Sequence, residues 1–160
     1  MALLDGAVRR ELLALYEETD ALLKDHSCES STDCCQFAKT GREPYPTPAE
    51  IALILDDAAK LGGLSTKPSK KKTSLPTLEV RRCPMLGQDG RCRIYASRPF
   101  GCRTFFCDRR VGPKKMPRAE ILELSRRIAD LSARAFPRDP RPRPLVRAIE
   151  DGPAALLRGR

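Results

Sequence analysis

The sequence lacks the patterns by which membrane proteins and many metal proteins are recognised. It has no run of 18 apolar residues, so no transmembrane helix and no membrane insertion are expected. It has no Cys-x-x-Cys pair, which excludes the common zinc-finger and zinc-ribbon spacings. His26 is its one histidine, which excludes a catalytic zinc site built from three histidines.

Signs of an enzyme are also scarce. The glycine-rich fingerprint of a dinucleotide-binding βαβ unit is missing, and no nucleophile is paired with a base in any recognisable motif. The sequence therefore favours a binding module over an enzyme, without deciding the question.

Aromatic residues make up only 5% of the 160 residues, so the apolar core should be thin. Most of them flank the cysteine segments, and we expect the densest packing beside the cysteines. These flanking aromatics are Phe37, Tyr45, Tyr95, Phe100, Phe105 and Phe106.

What the chain does have is seven cysteines, in two groups about 50 residues apart. The N-terminus does not begin as a secretory signal, so we expect a cytoplasmic protein, in which thiols stay reduced. Thiolates are soft donors that suit zinc and iron–sulfur clusters. All seven are candidate metal ligands: Cys28, Cys34, Cys35, Cys83, Cys92, Cys102 and Cys107.

The number of metal centres stays open. Structural zinc and four-iron clusters each take four ligands, so seven thiols allow one centre with three left over, or two centres that share a bridging thiolate. His26 is a further candidate ligand, although a lone histidine in a polar loop is expected to be solvated. The first cysteine group has only His26, Ser31 or Asp33 nearby as a fourth ligand. We therefore expect the two groups to meet at a shared centre.

Three helices are predicted from apolar residues that recur at helical spacing. The second begins with Thr47, Pro48 and Glu50, which are a cap residue, a proline at the first helical position and a capping-box acid. We expect it to be a scaffold without polar chemistry on its apolar face. The predicted helices cover residues 3–23, 48–61 and 117–135.

The cysteine segments should be irregular. In residues 25–41, the adjacent Cys34 and Cys35 should point in different directions. Residues 64–76 form a lysine-rich linker. The turn signal Asp89-Gly90 predicts a minor β-hairpin whose strands are residues 78–82 and 91–95.

The predicted fold is thus mostly α. It is a small α-rich single domain with irregular cysteine loops, at most one minor hairpin and a metal centre around which it is organised. We assign residues 1–136 to this cysteine-cluster domain and residues 137–160 to a Pro/Arg-rich C-terminal tail. The tail should be extended and exposed over residues 137–144 and then form a short helix.

The formal net charge is +9, which attracts nucleic acids and acidic proteins. Arginines crowd the second cysteine group, where they would balance the negative charge of bound thiolates and lower thiol pKa values. For most of them an ordinary surface position is the default expectation. These residues are Arg91, Arg93, Arg98, Arg103, Arg109 and Arg110.

The second cysteine group carries the most specific pattern. Its motifs are Cys83-Pro84-Met85-Leu86, Gly90-Arg91-Cys92-Arg93-Ile94-Tyr95, Arg98-Pro99-Phe100-Gly101-Cys102-Arg103-Thr104-Phe105 and Cys107. They resemble the second half of the YkgJ-like cysteine-cluster family, whose members are described as zinc- or iron-chelating domains. The resemblance covers about residues 25–110. The first family motif, Cys-x-x-Cys-x-x-Cys-Cys, has Ser31 at its second cysteine, which implies one thiolate fewer here.

The resemblance implies a metal-binding module with a structural, redox or metal-handling role, holding zinc or an iron–sulfur cluster of the 4Fe-4S type. One alternative is a basic, zinc-dependent nucleic-acid-binding protein, which the charge supports but no recognition motif does. Another is an accessory of a protein lysine methylation system, because longer relatives are labelled flagellin lysine N-methylases. The expected partners are a metal ion or cluster, and an acidic protein or nucleic acid.

Overall fold

The computed structural model describes residues 2–28, 32–63, 82–106 and 110–158. Within these ranges the chain is mostly helical, as predicted, and the β-pairings found there are isolated bridges. Short 3-10 segments cover Asp33–Cys35 and Tyr95–Ser97. The helices of the described part are α1 (Gly6–Leu22), α2 (Phe37–Thr40), α3 (Pro48–Lys60), α4 (Phe100–Thr104), α5 (Arg118–Ala135) and α6 (Leu145–Leu157).

The three long predicted helices are confirmed as α1, α3 and α5. Helix α1 begins later than predicted because the carboxylate of Asp5 caps it, accepting from the amide of Ala7 at 2.8 Å. The preceding amides of Leu3 and Leu4 instead donate to Asp56, at 2.7 and 3.1 Å. Local sequence therefore locates the helix, and a contact with α3 holds the residues that precede its cap.

Helix α3 lies at the centre of the core. Its predicted capping box is present, with the amide of Thr47 donating to Glu50 at 2.8 Å. The first part of α3 is buried on all sides, and Ile51, Leu53 and Ile54 are almost completely inaccessible to solvent. Helices α1, α5 and α6 pack around it, so the apolar core is assembled mainly between helices.

This arrangement contradicts the expectation that the aromatic residues pack most densely beside the cysteines. Of the six flanking aromatics, Phe37 is buried, whereas Tyr45 and Tyr95 are 63% and 66% exposed. The largest fully buried aromatic side chains are instead Tyr16 and Phe136, which lie among the long helices. Packing follows the long amphipathic helices because they offer more contiguous apolar surface than the short cysteine loops.

Residues 137–144 are mostly exposed and form no helix or strand, as predicted. The helix that follows them, α6, contributes Leu145, Ala148 and Ile149 to the core. Two backbone hydrogen bonds join the start of α6 to the loop before α3. The amide of Arg143 donates to the carbonyl of Pro46, and the amide of Leu145 donates to the carbonyl of Pro44. The predicted C-terminal tail thus carries a helix that belongs to the core.

The predicted hairpin is reduced to a tight turn. Gly90 adopts a φ of 74°, which supports the predicted turn, and the amide of Gly87 donates to the carbonyl of Arg91 at 2.8 Å. The expected strand 91–95 is wrong, because its pairing consists of the Leu86–Cys92 bridge before the chain enters a 3-10 turn. Residues 64–76 and 78–81 lie outside the described residues.

In the described part of the chain, every helix is too short or too polar to cross a lipid bilayer.

Candidate metal centre

A 3-10 turn over Asp33–Cys35 presents the two adjacent cysteines of the first group. The turn follows Thr32, which adopts a left-handed φ of 53°. At the end of the turn, the carbonyl of Cys35 accepts from the amide of Cys83 at 2.8 Å. The next residue, Gln36, forms a β-bridge with Arg82. The backbone therefore brings the first cysteine group against the start of the second.

Two further cysteines approach from other segments. Cys92 pairs with Leu86 across the tight turn, and Cys102 lies on α4. Gly101 allows α4 to pack closely on the loop before α3, because a Cβ there would lie 3.3 Å from the Cβ of Pro44.

The thiols of these segments form one cluster. The Cys35 thiol lies within hydrogen-bonding reach of the Cys34 and Cys83 thiols. Cys92 and Cys102 lie close enough to interact electrostatically with Cys34 and Cys35. The prediction that the two cysteine groups meet is confirmed, whereas the expectation that Cys34 and Cys35 point in different directions is wrong. The reason is that the 3-10 turn keeps their thiols side by side.

The cluster disfavours ionisation of its thiols. For Cys35, the hydrogen bond from Cys34 lowers the pKa, but the hydrogen bond with Cys83 and burial outweigh it and raise the pKa to about 11. Burial, then the neighbouring Cys35 and Cys92, raise the pKa of Cys102 to about 12. Cys102 is exposed by surface area, but protein atoms crowd its thiol, and this crowding is the main cause of its raised pKa.

The arginines do not reverse this effect. Burial raises the pKa of Cys92 despite the opposing charge of Arg98. The hydrogen bond with Cys35, followed by burial, raises the pKa of Cys34. Arg98 thus lowers the pKa of Cys92, as expected of the arginines, but the net shift of these thiols is upward because desolvation and neighbouring thiols dominate.

We expect the metal-free protein to lose stability as the pH rises above about 9. Unfolded cysteines ionise near pH 9.0, whereas Cys35 and Cys102 keep their protons in the folded state up to about pH 11 and 12. Within this window the folded state binds more protons than the unfolded state, so the free energy of unfolding falls with pH. Urea unfolding at pH 8.0, 9.5 and 10.5 measures the decline.

Tyrosines and lysines also titrate in this range. Cys102→Ala is therefore the control, and its decline should be shallower than that of the wild type. Equal slopes for the two proteins would contradict the prediction.

The cluster as it stands is not a completed metal site. Within the described ranges, no set of three or more His, Cys, Asp or Glu side chains is already arranged to hold a metal ion. Cys107 and Ser31 lie outside those ranges. Cys28 is exposed and follows Ser27, which pairs with Val111. The assignment of all seven cysteines as ligands therefore stays a prediction.

His26 differs from the solvated histidine expected from the sequence. Both of its ring nitrogens are buried without a hydrogen-bond partner, and its ring lies 5.7 Å from that of Phe106. Buried polar atoms are costly when unpaired, so an imidazole in this state is suited to bind a metal ion or another polar group through a ring nitrogen. His26 immediately precedes the residue that pairs with Val111, two positions before Cys28.

Gly112 follows Val111 and makes the Ser27–Val111 pairing sterically feasible. We expect Gly112→Ala to destabilise the protein by more than about 2 kcal/mol. Its φ is 137°, and an added Cβ would lie 2.4 Å from the carbonyl oxygen of Asp25. Gly41→Ala is the matched control, because Gly41 also has a positive φ, of 64°, but no atom lies within 4 Å of the added Cβ. That variant should cost only about 1 kcal/mol, the conformational penalty alone. Equal losses in urea unfolding would show that the Asp25 contact is unimportant.

Two arginines of the second cysteine group hydrogen-bond to backbone carbonyls, one from inside the fold and one from its surface. Arg103 is buried, and its guanidinium donates to the carbonyls of Arg98 and Ala96 and to Asp20. Arg93 donates to the carbonyl of Leu61 at the end of α3. The backbone of this region is thus held by guanidinium groups, a role that sequence analysis missed.

The expectation that α3 carries no polar chemistry on its apolar face is also wrong. Glu50 is buried, and besides capping α3 it accepts from the hydroxyl of Tyr16 at 3.0 Å and from the amide of Phe100 at 2.7 Å. One capping-box residue therefore joins α1, α3 and the start of α4.

Comparison with known proteins gives a match to a protein family. The family model described as "CxxCxxCC: Putative zinc- or iron-chelating domain" matches residues 27–121, which is more than half of the chain. The match includes all seven cysteines. No curated protein and no solved structure matches the chain.

Proposed function

The chain belongs to the CxxCxxCC family of zinc- or iron-chelating domains, and from this premise we propose that its clustered thiols hold zinc or an iron–sulfur cluster. The observation that carries the proposal is the convergence of five thiols from three separate segments. These are Cys34, Cys35, Cys83, Cys92 and Cys102. Thiolates in this number satisfy a four-coordinate zinc ion or a 4Fe-4S cluster.

The chemistry of the thiols supports this proposal. Without a metal ion, the pKa values of several thiols in the cluster are raised, because each thiolate would be buried beside other cysteines. A bound cation removes that penalty, since it favours the thiolate form and releases the protons. We propose that binding draws the sulfurs out of their mutual hydrogen bonds and around the metal. Cys28, Cys107 and His26 are the remaining candidate ligands.

Such a centre would be a structural or redox element of a cytoplasmic protein. When bound, zinc supplies a cross-link, and an iron–sulfur cluster supplies a site for one electron. The metal would join the two cysteine groups across about 50 residues of chain, which constrains the unfolded state and stabilises the fold.

The alternative of nucleic-acid binding receives less support. Arg93 and Arg103 direct their guanidinium groups to backbone carbonyls, and Arg110 donates to the carbonyls of Pro113 and Lys114. Groups held in this way are less available to phosphates. Any binding to nucleic acid should therefore be nonspecific and fall steeply with salt.

Elemental analysis of protein purified without oxygen tests the proposal. A brown protein that absorbs at about 400 nm and contains iron and sulfide would identify an iron–sulfur cluster. A colourless protein with stoichiometric zinc would identify a zinc site. Cys35→Ser should lose most of whichever metal is found, whereas Thr40→Ser, on the neighbouring α2, should retain it. A wild-type protein that carries and takes up neither metal would refute the proposal.

A further inference from the structure

The strongest unassigned feature beside the cluster is a buried polar network around Glu50. Glu50 is 3% exposed, and its carboxylate accepts hydrogen bonds from groups on α1, at the start of α3 and on α4. One oxygen accepts from the Tyr16 hydroxyl and the Phe100 amide, and the other accepts from the Thr47 amide. Because its oxygens accept hydrogen bonds from groups on α1, at the start of α3 and on α4, Glu50 holds the start of α4 against α1 and α3.

Arg103 closes the network on its other side. Its guanidinium carbon lies 4.1 Å from the centre of the Tyr16 ring, and its Nη1 donates to Asp20 at 2.6 Å. Phe100 and Arg103 both belong to α4, and Cys102 lies between them. The two anchoring points of this short helix therefore bracket Cys102, and both make contact with Tyr16 or its partner Glu50.

Tyr16, Glu50 and Cys102 also share one electrostatic environment. The charge of Glu50 acts on the Cys102 thiol, and a Cys102 thiolate acts on the Tyr16 hydroxyl. Tyr16 lies in α1, before the segment of residues 27–121 that the family model matches. The network thus reaches from outside the matched segment to one of its cysteines.

We propose that Tyr16 and Glu50 are positioning residues for Cys102. They fix the first turn of α4 so that the Cys102 thiol faces the other thiols, and they limit the movement of that thiol. The consequence for metal affinity rests on the proposed function, whereas the consequence for the Cys102 thiol itself does not.

Tyr16→Phe tests the inference. It removes the hydroxyl that reaches Glu50 and keeps the ring under Arg103. Thr19→Val is the matched control, because Thr19 is fully buried on the same helix and its hydroxyl donates only to the Leu15 carbonyl, at 2.7 Å. Both variants lose one buried hydroxyl of α1, so a general loss of stability affects both.

Two measurements are made on each protein. Competition with a chromophoric chelator gives the zinc affinity, which Tyr16→Phe should weaken about tenfold, the lower end of the effect of losing an outer-shell partner. Thr19→Val should stay within about twofold of the wild type. The second measurement is the rate at which iodoacetamide modifies Cys102 in the metal-free protein, followed by mass spectrometry. Cys102 should be modified several times faster in Tyr16→Phe than in Thr19→Val, because α4 is held less firmly in Tyr16→Phe.

The outcomes separate the two proposals. If the wild type takes up neither zinc nor iron but Cys102 of Tyr16→Phe reacts faster, the metal proposal fails and the positioning inference stands. If Tyr16→Phe equals Thr19→Val in alkylation and in any zinc binding, the inference is overturned. If Tyr16→Phe does not fold, hydrogen exchange of the wild type decides: the Phe100 amide should be as protected as the centre of α3, and rapid exchange overturns the inference.

Discussion

Replacing Cys102 by serine should leave the purified protein with less than about a tenth of the zinc or iron found in the wild type. Losing an outer-shell partner of a metal site already weakens affinity by roughly 10- to 100-fold, and losing a ligand should cost at least as much. The Cys102 thiol lies within electrostatic reach of Cys34, Cys35 and Cys92, so its removal takes one sulfur donor from the cluster. Serine does not replace it, because a hydroxyl is neither soft nor ionised at neutral pH.

Loss of the metal should also destabilise the whole domain. Structural zinc in small domains contributes about 10 to 16 kcal/mol of apparent binding free energy at pH 7, and that energy stabilises the fold. The variant should therefore unfold at a lower urea concentration than the wild type. Adding a chelator should lower the urea midpoint of the wild type to nearly that of the variant. From the sequence motif, Cys107→Ser should behave in the same way.

Thr104→Ser is the control for this prediction. Thr104 lies on the same helix, two residues after Cys102, and its hydroxyl donates to the carbonyl of Phe100 at 3.0 Å. Serine keeps that hydroxyl, so metal content and stability should change little. Full metal content in Cys102→Ser would exclude Cys102 from the ligand set.

Replacing Arg103 by alanine should lower the free energy of unfolding by about 2 to 3 kcal/mol, even in metal-free protein. The side chain is 4% exposed and bonds to two carbonyls and to Asp20, while its guanidinium stacks on Tyr16. Its removal leaves two partly buried carbonyl oxygens without this donor. The magnitude stays below that of a fully buried ion pair, because the Asp20 side chain is 51% exposed.

Arg127→Ala provides the contrast. Arg127 also pairs with an acid of α1, since both of its terminal nitrogens donate to Glu18 at 2.6 and 2.9 Å. Both side chains of that pair are nearly half exposed and the pair is screened by solvent, so the loss should be clearly smaller than that of Arg103→Ala. Urea unfolding of both variants without metal measures the difference. Similar losses would show that burial of Arg103 contributes little.

Arg103 also shows what sequence analysis could not provide. In the sequence it is one of six arginines near the second cysteine group, and nothing local distinguishes it from Arg91, which is exposed. Its role depends on Asp20, which lies 83 residues away. Similarly, Glu50 was predicted as a capping acid from Thr47 nearby, but its bonds to Tyr16 and Phe100 span 34 and 50 residues.

The sequence by itself determined the three long helices, the capping box of α3 and the cysteine motifs of the family. These depend on local periodicity, capping and spacing, which act over a few residues. Tertiary structure decided that Cys34 and Cys35 face the same cluster, that the thiol pKa values rise, that the ring nitrogens of His26 are buried and that Tyr45 and Tyr95 remain exposed. Each of these outcomes depends on contacts between distant segments, and burial and electrostatic interactions exist only once those segments have packed together.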